Sequence, residues 1–77
     1  MTAHQHISQQ VVELRGALHW SQGDLAARAG IDQGHLSGME GCKRKWSVDA
    51  LVAVAAAFGV KLDRLADIEA IRDTEAA

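Results

Sequence analysis

The chain has 77 residues, is 48% apolar, carries a net charge of −2 and contains one cysteine, Cys42. That apolar fraction is too high for a disordered chain, no apolar run approaches the ~18 residues of a membrane span, and one cysteine excludes an internal disulfide. The length fits one domain, 1–77, whose small core needs good helix packing or a second copy to be stable.

Charge is unevenly placed. Up to residue 60, Arg15, Arg28, Lys43, Arg44 and Lys45 balance Glu13, Asp24, Asp32, Glu40 and Asp49. The whole excess of acid falls in 61–77. Lys43, Arg44 and Lys45 form the one basic cluster, and a local patch can hold phosphate while an acidic tail sets the net charge. The start, MTAHQHISQQ, has no basic region followed by an apolar run. The expectation is therefore a protein without a signal peptide, in a reducing cytoplasm.

The first helix is expected over 4–19, where Ile7, Val11, Leu14 and Leu18 recur on one face. His4 and His6 do not share a helical face, so they read as a solvated, frayed terminus and not as metal ligands. Residues 21–40, SQGDLAARAGIDQGHLSGME, then read as two short helices around a tight turn. Ser21 caps the first, with Asp24 completing a capping box and Trp20 spaced to staple against Leu25. Gly30 can take the positive φ that ends a helix. Asp32 caps the second helix, about 33–40. Leu25, Ala26, Ala29, Leu36 and Met39 form a shared apolar face, leaving Gln33, Gly34, His35, Ser37 and Gly38 outward. Two helices joined by a Gly-containing turn have the pattern of a helix-turn-helix.

After a loop at 41–45, Trp46 and Ser47 repeat the start signal for a fourth helix, 48–58, apolar almost all round and expected to be central and buried. Gly59 ends it. A fifth helix, roughly 62–74, carries Leu62, Leu65, Ile68 and Ile71 near one stripe, with a frayed tail behind it. The fold class is all-α, a compact five-helix bundle. There is no nucleophile–base pair, no metal spacing and no phosphate loop, so neither enzyme chemistry nor a cofactor is expected.

Residues 11–66 resemble the Cro/CI-type helix-turn-helix family, which includes the lambdoid phage repressors. The resemblance rests on an ungapped register through Leu14-Arg15, Ser21-Gln22, Leu25-Ala26, Ala29-Gly30-Ile31, Leu36-Ser37, Glu40, Lys43-Arg44, Ser47, Leu51, Ala55 and Phe58-Gly59-Val60 with Leu62 and Leu65. It implies a lambda-repressor-like domain of bacterial or phage origin that binds DNA as a dimer. It implies that Gln22 holds a DNA phosphate and braces Gln33, the first residue of the recognition helix. A Gln33 amide matches the donor and acceptor that adenine shows in the major groove. Arg15 and Glu40 would form a partly buried structural ion pair. Gly41 follows Glu40 directly, and Cys42 holds the position that the family usually gives to glycine. Gly30-Ile31-Asp32 and Leu36-Ser37-Gly38-Met39-Glu40, with Arg44, also look like the restriction–modification controller proteins, whereas Gln33-Gly34-His35 departs from the usual recognition residues of that subgroup.

Gly34 and Gly38 admit two readings: close approach of DNA or a thymine methyl, or simply a weak helix. His35 is placed to touch a base or a phosphate, and Ser37 a phosphate. Lys43, Arg44 and Lys45 suit phosphate contacts, which position a protein without reading sequence. Trp46 is favoured as a staple at the core edge over a phosphate donor. Leu65, Ile68 and Ile71 are the candidate dimer surface. The expected partners are a palindromic double-stranded operator and a second copy, with no membrane. The alternative is a protein-binding module, such as an antitoxin or a phage adaptor, with weak DNA affinity.

Overall fold

The computed structural model describes residues 2–66. Four α-helices run in chain order: α1 (Ala3–Ala17), α2 (Gln22–Ala29), α3 (Gln33–Glu40) and α4 (Val48–Phe58). The fifth helix expected over 62–74 is, within the described residues, a three-residue 3-10 turn at Leu62–Arg64. The Arg64 N–H donates to the Lys61 carbonyl and the Leu65 N–H to that of Leu62, and these tighter bonds accompany a fully buried Leu65. Ile68 and Ile71 lie outside the described residues.

Each helix starts where a side chain satisfies its first backbone donors. Thr2 and Gln5 make a reciprocal capping box on α1, so this end is anchored and not frayed. Ser21 and Asp24 do the same on α2. Asp32 accepts from the His35 N–H, and Ser47 from that of Ala50. Gly30 and Gly59 end α2 and α4 at φ 68° and 73°. The first helix stops two residues short of its expected end, because His19 turns the chain at φ 58°. Leu18, expected on the core face, is consequently 44% exposed.

α2 packs against α3 and α4, and α1 against α3. Ile7, Leu25, Leu36, Met39, Leu51 and Leu65 are fully buried together. Burying one such side chain is worth roughly 1.5–3 kcal/mol. Helix α4 is not enclosed all round: Ala50, Leu51, Val54 and Ala55 face inward while Val52 is exposed. Trp46 is the largest fully buried side chain, so it lies inside the core and not at its edge. Among the described residues no helix is long and apolar enough to cross a membrane.

Candidate nucleic-acid interface

Leu36 and Met39 anchor α3 to the core, and the helical period then leaves Gln33, Gly34, His35 and Ser37 exposed on its other side. Gly38 is half-buried. The Gln33 side chain lies over Gly23 of α2, where a Cβ would stand 3.3 Å from Gln33 Oε1. Gly23 thus makes room for the first residue of α3, a role that nothing in the sequence marks.

Among the described residues no hydrogen bond joins Gln22 to Gln33. The Gln22 Nε2 donates instead to Glu40 Oε1 at 3.0 Å. Glu40 also accepts from two of the three guanidinium nitrogens of Arg15, from Nε at 3.1 Å and from Nη2 at 2.8 Å. The remaining nitrogen, Nη1, donates to the Trp20 carbonyl at 3.0 Å. The Glu40 side chain is 4% exposed and that of Arg15 18%. This bidentate, charge-assisted pair neutralises the carboxylate at the C-terminal end of α3 and ties that end to α1 and to the start of α2.

The basic loop is bound to the same end of α3 by its backbone. Gly41 N–H donates to the Ser37 carbonyl, Cys42 N–H to Met39, and both Lys43 and Arg44 N–H to Gly38. Cys42 takes φ 62°, so the left-handed turn forms with a cysteine where family members usually place glycine. Lys43, Arg44 and Lys45 are all exposed. Trp46 closes the loop from within. Its backbone N–H donates to His4 Nδ1 at 2.9 Å, and its indole Nε1 to Ser8 Oγ at 2.9 Å. With its indole N–H committed to Ser8, Trp46 has nothing to offer a phosphate. His4 and Ser8 were not legible as site residues, since their partners stand about forty positions away.

Leu65, expected on a dimer surface, is fully buried in the protein's own core and is not free to meet a second copy. Among the described residues no group of three His, Cys, Asp or Glu side chains is placed to hold a metal ion.

The exposed face of α3, a capped α2 beside it and a basic loop at its end form a compact unit of the DNA-binding kind. The helix-turn-helix family matches the chain over residues 11–65. The chain belongs to that family. It is a DNA-binding transcriptional regulator of the Cro/CI (XRE-like) type. This regulator is similar in structure to the restriction-modification controller protein C.AhdI from Aeromonas hydrophila. The two are 29% identical, with a TM-score of 0.76 over 80% of this chain and 94% of that one. No curated protein matches the chain.

Proposed function

We propose that the protein binds a palindromic operator as a homodimer and controls transcription from it, with the whole chain, 1–77, acting as one DNA-binding domain. The observation that carries this reading is the exposed Gln33–Ser37 face of α3 standing beside the exposed Lys43–Lys45 loop. In this reading α3 enters the major groove and Gln33 hydrogen-bonds an adenine edge through N6 and N7. His35 and Ser37 flank that contact, and Gly34 lets the backbone approach. Gln22, Lys43 and Lys45 hold phosphates and fix the register. Two copies present their recognition helices about 34 Å apart, one turn of DNA. The dimer surface is assigned to the segment carrying Ile68 and Ile71. Similarity to a restriction-modification controller protein supports a role in controlling transcription.

Selection from a randomised duplex pool tests the proposal, followed by titration of the enriched site at several salt concentrations. The expected result is a two-fold symmetric site whose affinity falls steeply as salt rises, because each neutralised phosphate releases counterions. Gln33→Ala should relax preference at one base pair per half-site, whereas Lys43→Ala should weaken all sequences alike. An unenriched pool with only micromolar or weaker binding at low salt would transfer the function to a protein partner.

A further inference from the structure

Gly38 sits on α3 at the outward spacing of Gln33, Gly34 and Ser37, yet it brings no side chain of its own. The space is not empty. A Cβ on Gly38 would come 2.9 Å from Arg44 Cδ and 3.2 Å from both Cγ and Nε. The Arg44 stem therefore lies directly across the Gly38 backbone. Its main chain rests there too, since the Arg44 N–H donates to the Gly38 carbonyl at 3.1 Å.

The other arginines of the described residues are already engaged. Arg15 holds Glu40, Arg28 stacks 4.3 Å over the Trp20 ring, and Arg64 donates to Gln10. Among the described residues Arg44 has no carboxylate within ion-pair distance and its guanidinium makes no hydrogen bond. It is an exposed, unspent donor fork on a stem already docked against the recognition helix. Docking the stem beforehand lowers the entropy lost when the fork engages a ligand. Lys43 and Lys45 on either side suffice for non-directional phosphate attraction, but a planar fork is the group that matches guanine O6 and N7 in the major groove.

Resting on the regulator reading above, we infer that Arg44 supplies from the loop the base-reading side chain that α3 lacks at Gly38, and that it reads a guanine in each half-site. Lys43 and Lys45 carry the phosphate contacts.

The test is selection from a random duplex pool with the full chain and with Arg44→Lys, Arg44→Gln, Gly38→Ala and Lys43→Gln, each checked for unchanged helicity by circular dichroism. The full chain should enrich a guanine at one position per half-site. Both Arg44 variants should lose about tenfold or more of the discrimination at that position and keep the rest of the site. Gly38→Ala, by pushing the Arg44 stem aside, should lose preference at the same position. Lys43→Gln should lower affinity for all sequences and leave the preference unchanged. If Arg44→Gln weakens every sequence equally and keeps the guanine, Arg44 is a phosphate contact and the inference fails while the regulator reading stands. If the full chain enriches no sequence, both fail together.

Discussion

The indole N–H of Trp46 and the hydroxyl of Ser8 meet at 2.9 Å inside the core, and the same hydroxyl donates onward to the Met39 carbonyl at 2.7 Å. The Cys42 thiol approaches the Ser8 Oγ at 3.6 Å. One buried side chain of α1 thus joins the last turn of α3, the basic loop and the approach to α4. Ser8 is 4% exposed, so no water replaces it cheaply.

Ser8→Ala should accordingly destabilise the protein by about 1–3 kcal/mol, because it strands the buried Trp46 indole donor, while the Met39 carbonyl keeps the Cys42 N–H. Urea unfolding followed by Trp fluorescence measures this. Trp46→Phe in the Ser8→Ala background should cost less than the sum of the two single changes, since the stranded donor is then gone.

Removing one partner of the Arg15–Glu40 pair should be more damaging. Arg15→Ala leaves a carboxylate that is 4% exposed with only the Gln22 amide for company. The expected loss is about 3–5 kcal/mol. For a domain whose total stability is on the order of 5–15 kcal/mol, that populates the unfolded state measurably near physiological temperature. Calorimetry of Arg15→Ala beside Arg15→Lys tests it, with the lysine variant intermediate because it keeps charge but loses the fork.

Two backbone positions should accept stabilising changes. Gly16 lies in α1, and a Cβ added there would meet nothing within 4 Å, so Gly16→Ala should gain about 0.5–1 kcal/mol. Cys42 holds φ 62°, so Cys42→Gly should relieve a strain of about 1 kcal/mol. Gly30, at φ 68°, provides the control, because Gly30→Ala should lower the melting temperature. In a domain of this size a gain of about 1 kcal/mol raises Tm by roughly 4–8 °C.

Asp24 should titrate below the usual carboxylate range. The Ser21 backbone N–H donates to its carboxylate at 2.9 Å, and the Ser21 hydroxyl adds to the effect. A depressed folded-state value means that the cap's contribution is present above the unfolded-state value and is lost as pH falls through the folded one. Carboxyl-carbon NMR titration should show the low midpoint, and Ser21→Gly should move it upward. Glycine keeps the backbone donor, so the rise should be partial, and an Asp24 midpoint unchanged by Ser21→Gly would remove the hydroxyl's share of the effect.

Much of the fold is written locally. Ser21 with Asp24, Asp32, and Ser47 announce three helix starts, and Gly30 and Gly59 two ends, because capping involves residues three or four apart. The Thr2–Gln5 box has the same three-residue spacing, but the expectation of a frayed start overlooked it, and the first helix is anchored there. The exposed face of α3 follows from helical period alone. The basic run follows from three adjacent residues, as does the family register from its spacing.

Contacts across the core had no such signature. The apolar run of 48–58 suggested a helix enclosed on all sides, but α4 buries one stripe, because the described elements cover only that side. A stripe containing Leu65 suggested an interface, and the 3-10 turn put Leu65 inside instead. Trp46 looked like a staple at the core edge until Ser8 and His4 supplied partners for both of its N–H groups. Gly38 looked like an absence of side chain, whereas the returning loop lays Arg44 over it. Local pattern therefore determined where helices begin, where they end and which face of α3 is polar, since those depend on neighbours along the chain. Which donor meets which acceptor, and which side chain occupies the space a glycine leaves, was decided only when distant segments packed, because a hydrogen bond forms at about 3 Å whatever the separation in sequence.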